Sequence, residues 1–350
     1  MFKRMNTNNY NTTRLVWVDY MKAFSIMAVV LYHTQIMDEI RNFVYLVCLP
    51  AFFFTAGMFT NTELSLKAFF IRKTLRLFIP YLIWGILTYI FWFFILPQFN
   101  GSIQRDIKWW QPLLGMLYGR CDVLYHNVPL WFLCCMISLE WIYYAIHSFS
   151  KQWIRWLLIA LAGILGCTLA YLGFNWIWGI SAALIILPIY AIGAEYKLFF
   201  KEKVPTLNTY LLVGILCISI AGIVLGYIYN SDIRLCESII GNPYLYYLTA
   251  LSAVCLWLSL SLLIEKCSDK TIHVLQYIGK NTLIILCTHI SMFSIIKGIG
   301  LLCHIPIPFF ATTIGALVLC MSTIVFLAPI ASLINRYCPW MLGKITWRKL

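Results

Sequence analysis

Charge is what this sequence of 350 residues has least of: Asp, Glu, Lys and Arg make up 11%, against 62% hydrophobic residues. A soluble domain of that length would lack the polar surface to cover its core, which excludes a soluble globular protein. The thirteen cysteines include no C-x-x-C pair and no metal-ligand spacing, so no metal site is indicated. Most of them, such as Cys48, Cys167, Cys217, Cys255, Cys287 and Cys320, lie inside apolar runs as small hydrophobes. Cys121, Cys236 and Cys303 fall in loops, and the sequence leaves open whether any of them pair. There is no internal repeat and no low-complexity tract, so an inverted-repeat transporter is not signalled. No cleavable signal peptide is expected: the first apolar segment follows an Asn/Thr-rich stretch, is too long, and lacks a small-residue cleavage site.

What is present is a series of apolar runs of membrane-spanning length, which means helices rather than a barrel. The fold class expected is all-α, a polytopic integral membrane protein. Ten spans are predicted, at 15–37, 43–60, 77–97, 128–147, 153–173, 176–194, 207–229, 244–264, 282–302 and 308–334. Residues 1–14 and 335–350 are expected as tails flanking a membrane domain at 15–334. The net charge of +13 is spread in short basic clusters between the runs. That pattern orients a membrane protein and offers no basic domain for nucleic acid. With the N-terminus inside, nineteen Lys and Arg fall in cytoplasmic segments, five in outer ones, and Lys22 and Lys297 within spans. Both termini are therefore expected in the cytoplasm.

The first span, "LVWVDYMKAFSIMAVVLYHTQ", carries Asp19, Lys22 and His33. At 100° per residue, Lys22 and His33 return to within about 20° of one face, about 16 Å apart along the axis. Either Asp19 and Lys22 snorkel at the inner boundary or they serve a buried site. His33, near the outer boundary, is either an interfacial histidine or a proton acceptor, because imidazole titrates near neutrality. Asp19 lies about 21 Å from it along the helix, too far to be its partner. "FIRKTLRLFIPYLIWG" brings Arg72, Lys73 and Arg76 into the third span, as an inside-positive cluster or as a phosphate site. "VPLWFL" opens the fourth span with Trp131, just after His126, and "IGKNTLIILCTHI" leads through Asn281 to His289. In the outer loop at 98–127, Trp109 and Trp110 are either an interfacial belt or a stacking surface for sugar rings.

Together, "DYMKAFSIMAVVLYH", "LPAFFFTAGMF", "RKTLRLFIPYLIW", "VPLWFL", "IGKNTLIILCTH" and "RYCPWMLGK" resemble the acyltransferase-3 family of integral-membrane O-acyltransferases. The motifs occur in family order over nearly the whole chain, and ten helices match the family's number. The resemblance implies a bacterial cytoplasmic-membrane enzyme that modifies cell-surface glycans. Its donor would be an acyl-CoA, usually acetyl-CoA, used as co-substrate with no permanently bound cofactor. Its acceptor would be a hydroxyl of a polysaccharide or of a lipid-linked precursor.

The family's first-span motif, a basic residue followed after ten spacers by His, maps onto Lys22 and His33. His33 is then the expected catalytic residue, as general base or transient acyl carrier. Many members have Arg where Lys22 stands, and the family's frequent Ser-Gly is Ala56-Gly57 here. Lys22, Arg72, Lys73 and Arg76 are the expected donor site, and His126 and Trp131 the acceptor side. Asp19, His289 and Asn281 are expected as a supporting polar layer toward the inner side. Counted from the start of each span, His289 lies about 10 Å deep and His33 about 24 Å, so the two are expected not to touch. Asp38, Asp122 and Glu237 are candidate partners of His33 only in being on its side of the membrane. The rival reading is a membrane transporter or flippase.

Overall fold

The computed structural model describes residues 15–99, 107–199, 206–267 and 272–344. The expectations for the tails at 1–14 and 345–350 and for the loop portion 100–106 lie outside the described residues. The chain is an all-α membrane bundle: α1 (Val16–Tyr32), α2 (Asp38–Cys48), α3 (Pro50–Met58), α4 (Leu66–Ile95), α5 (Gln111–Tyr118) and α6 (Trp131–His147) form its first half. The second half holds α7 (Gln152–Tyr171), α8 (Ile180–Phe199), α9 (Thr209–Tyr229), α10 (Pro243–Cys267), α11 (His273–Lys280), α12 (Thr282–Leu302) and α13 (Thr313–Tyr337).

Among the described residues nine helical segments are long and apolar enough to cross a membrane, with α2 and α3 counted as one. The first helix, expected as a further span, has 17 residues and is not among the nine. The second span starts earlier than its hydropathy suggests and is interrupted at Leu49, because Pro50 cannot donate to the preceding turn and restarts the helix at its own first position. The third starts at Leu66, capped by Ser65, and passes through a π-turn at Phe70–Thr74 before its apolar stretch.

The first helix, the one with in-span charge, is the centre of the bundle. It packs against α2, α3, α10, α11, α12 and α13. Trp17, Met21, Ala23, Ile26 and Val30 are almost wholly buried along it, and so is Asp19. By contrast α7 and α9 turn most of their apolar residues outward, as lipid-facing helices do. Two close approaches fix the register. Gly279, in α11, lies against the backbone carbonyl of Asp19, and Gly57, in α3, lies against that of Tyr190 in α8. A β-carbon at either position would collide with backbone, so glycine is what lets these helices touch.

Candidate active site

The helix of α1 stops at Tyr32, where Thr34 turns its hydroxyl back onto the Leu31 carbonyl at 2.7 Å. His33 therefore stands at the open end of the central helix rather than along its side. There it lines a cavity of about 330 Å³, at the lower end of the range for small-ligand sites. The cavity walls come from Tyr32 at the end of α1 and His33 just beyond it, Tyr45 and Cys48 of α2, the loop at 121–126, the start of α6 with Trp131, and Cys236 and Glu237 from the loop before α10. Leu286 and Ile290 of α12 complete it. The polar lining thus combines imidazole, phenol, thiol and carboxylate, with aromatic faces on several sides.

His33 lies between two rings, Tyr32 at 4.9 Å and His289 at 5.2 Å between centroids. This overturns the depth expectation, which put His289 in an inner layer with Asp19 and Lys22. The reason is the packing of α11: Gly279 sits level with Asp19. From that common level His289 is ten residues up and His33 fourteen, about 15 Å and about 21 Å by helix rise. A gap of about 6 Å remains, which facing rings can close.

His289 is fully buried, and its Nδ1 lies 2.8 Å from the Ile285 carbonyl. A carbonyl only accepts, so Nδ1 carries the hydrogen and Nε2 is left as a bare acceptor. That Nε2 has no hydrogen-bond partner among the described residues. Beside it, Asn127, wholly buried, donates to the Cys287 carbonyl at 2.8 Å and to the Thr88 hydroxyl at 3.3 Å. Asn127 therefore ties the entry of α6 to α4 and α12 at the level of the two histidines.

His126 and Trp131 line the same cavity as His33, so the acceptor-side grouping comes together. His126 is buried edge-on to Tyr89, and that burial lowers its pKa to about 4. The imidazole is therefore neutral at physiological pH. Of the carboxylates proposed by side, Asp122 and Glu237 reach the cavity, each held by an arginine of its own loop. Arg120 grips Asp122 at 2.6 and 3.0 Å, and Arg234 holds Glu237 at 3.1 Å. Asp38 is exposed and paired with Arg41.

The other expected groups separate. Lys22 does not line the cavity; its ammonium is 3.4 Å from Asp19 toward the N-terminal end of α1. A single groove running from Lys22 to His33 is thus not what the helices form around His33. Lys73 is a second correction: its ammonium is 3.0 Å from Glu140 of α6, both largely buried, so it neutralises a carboxylate inside the bundle instead of facing a phosphate. Arg72 and Arg76 remain exposed on the N-terminal part of α4. Asn281 is a junction: it donates to the Tyr277 carbonyl at 2.8 Å and accepts from Asn335 at 2.6 Å, joining α11 to α13.

Sequence reasoning passed over Asn127, Tyr32 and Tyr45 as site residues. Asn127 carried a signal, being a polar residue directly before the "VPLWFL" entry to a span. The tyrosines carried none, because an aromatic at the outer boundary reads as an interfacial belt.

The acyltransferase-3 family, described as an acyltransferase domain, matches residues 15–330. No curated protein and no solved structure matches the chain.

Proposed function

The chain belongs to the acyltransferase-3 family and is a multi-pass membrane acyltransferase, and from that premise we propose that it moves an acetyl group from acetyl-CoA to a sugar hydroxyl. The acceptor would be a cell-surface polysaccharide or its lipid-linked precursor, at the outer face of a bacterial cytoplasmic membrane. The observation that carries this reading is the cavity around His33, which sets a half-buried imidazole, backed by the buried His289, against aromatic and hydroxyl-bearing walls. Aromatic faces suit the C–H-rich faces of a sugar, and neutral His126 is free to donate or accept a hydrogen bond there.

In the proposed reaction His33 takes the proton of the sugar hydroxyl as its oxygen attacks the thioester carbonyl. The carbon–sulfur bond breaks, and the departing CoA thiolate recovers a proton from the imidazolium. While one His33 nitrogen serves as base, the other carries a hydrogen and needs an acceptor. The Nε2 of His289, unbonded in the structure and on a ring 5.2 Å from that of His33, would supply one without a charge, which suits an apolar layer better than a buried carboxylate. Arg72 and Arg76, exposed at the inner end, are the groups left for the CoA phosphates once Lys73 is paired. Both termini would then lie in the cytoplasm.

Two measurements together test the proposal. Surface glycan from cells with and without the protein is compared by mass spectrometry, and membranes are given acetyl-labelled acetyl-CoA. Acetylation of the glycan that disappears with the protein, together with label passing to a sugar, is expected. Unchanged acetylation and no protein-dependent loss of the thioester would remove the assignment.

A further inference from the structure

Lys297 is a cation inside a span for which the proposed reaction has no use. It stands in α12, five residues before the helix ends at Leu302, and is half-buried. Among the described residues no carboxylate lies within ion-pair distance of it; its ammonium is 3.4 Å from the side-chain oxygen of Gln35. The arginines at this end of the bundle are engaged: Arg41 with Asp38, Arg120 with Asp122, and Arg234 with Asp232 and Glu237. A charge kept within a span without a countercharge points to a ligand that brings one.

Its surroundings define what would fit. At 100° per residue Lys297 returns to within about 20° of Ile290 and Leu286, seven and eleven residues earlier, and both of those line the His33 cavity. Lys297 therefore stands on the α12 face that walls the cavity, about 10 Å further along the helix than Ile290. Gln35 follows His33 by two residues, a stretch of at most about 7 Å, so the contact ties Lys297 to the chain just beyond the imidazole. An ammonium only donates, so Gln35 accepts through its oxygen and its NH2 remains as a further donor at the same place. Around the helix, Phe293 and Gly300 on one flank of Lys297 are buried, whereas Ser294 on the other flank is half-buried and Leu301 exposed. The residue thus lies on the seam between bundle and lipid. Simple snorkelling would carry the ammonium toward the near end of the helix at Leu302. The Cα–Cβ bonds of a helix lean instead toward its N-terminus, which on α12 is the cavity side, and the ammonium meets the segment after His33.

We infer that Lys297, with the Gln35 amide, binds a phosphate carried on a lipid, the group that joins the acceptor saccharide to its lipid chain. The inference rests on the proposed acetyl transfer to a glycan and selects the lipid-linked precursor as acceptor. The seam admits the lipid chain from the side, the ammonium and amide donate to the phosphate oxygens, and the attached sugar reaches the cavity at His33.

The test reads binding without acetyl-CoA, on purified full-length protein in detergent with an excess of phosphatidylglycerol. Farnesyl diphosphate is the probe, farnesol its uncharged counterpart, and methyl glucuronide a carboxylate carried on a sugar. Wild type should bind farnesyl diphosphate, and Lys297→Gln should weaken that binding about ten- to a hundred-fold, as loss of a charge-assisted contact predicts. Lys297→Arg should weaken it less, Gln35→Ala several-fold, and farnesol should not distinguish the variants. Equal binding of farnesyl diphosphate by wild type and a folded Lys297→Gln would overturn the inference. So would Lys297-dependent binding of the glucuronide alone, or no binding above the phosphatidylglycerol background. If Lys297→Gln does not fold, Gln35→Ala decides by the same comparison. Lys297-dependent binding in a chain that transfers no acetyl group refutes the proposed function alone, whereas unaltered binding in a chain that does transfer it refutes the lipid-phosphate site alone.

Discussion

Lys73 and Glu140 separate a donor-site reading from a structural one, and the separation can be measured. The pair joins the N-terminal part of α4 to α6 with 3.0 Å between ammonium and carboxylate; the side chains are 19% and 7% exposed. The second carboxylate oxygen of Glu140 is buried without a hydrogen-bond partner, so Lys73 is its main compensation. Lys73→Met would leave that carboxylate unpaired, and breaking a buried pair from one side costs about 3–5 kcal/mol. Glu140→Leu should cost a similar amount by stranding the ammonium. The double variant Lys73→Met/Glu140→Leu removes both charges, and replacement of a buried pair by apolar residues is near neutral. It should therefore recover to within about 1 kcal/mol of wild type, with a coupling energy of a few kcal/mol. Unfolding in detergent gives the stabilities, and the apparent KM for acetyl-CoA is taken on the same samples. An additive double variant, or a donor KM that rises many-fold in Lys73→Met and stays high in the double variant, would refute the structural reading and restore Lys73 to the phosphate site.

Two further outcomes bear on the cavity. Because burial holds His126 near 4 in the folded chain against 6.5 when exposed, protonation favours the unfolded state. Its stabilising contribution is complete above pH 6.5 and is lost as pH falls toward 4, by about 3 kcal/mol in all. His126→Gln should flatten that part of the stability-versus-pH curve, and a curve identical to wild type over pH 4–6.5 would contradict the burial argument. His289→Ala should cut kcat by roughly ten- to a hundred-fold and move the acid limb of the kcat/KM profile, because the acceptor proposed for His33 is removed. His289→Gln, which can still accept, should restore part of the loss. An unmoved acid limb with merely reduced protein level would make His289 a packing residue.

The spans and the outer grouping of His33, His126 and Trp131 were legible because hydropathy sets depth to within a turn or so, and all three lie at span ends. The histidine pair was not legible. Depth counted from the start of each helix takes every span to begin at one level, whereas α11 runs alongside the N-terminal end of α1 and lifts α12 relative to it. That offset depends on Gly279 meeting the Asp19 backbone, a tertiary contact with no signature in a single sequence. The Lys73–Glu140 pair escaped for the same reason: a basic residue beside a span end reads as topology until the helix facing it is known. Cys121, Asp122, Cys236 and Glu237 come from loops 115 positions apart, and only the folded bundle brings them to one wall.

The most direct test concerns His33. Purified protein is reconstituted as wild type, His33→Ala and His33→Gln, each checked for an unchanged unfolding transition, and supplied with labelled acetyl-CoA and the glycan acceptor. Loss of transfer by about 10²–10⁴-fold in both variants, as removal of a general base predicts, with acetyl-CoA still bound, is the expected result. Folded His33→Ala that transfers acetyl at the wild-type rate would contradict the account.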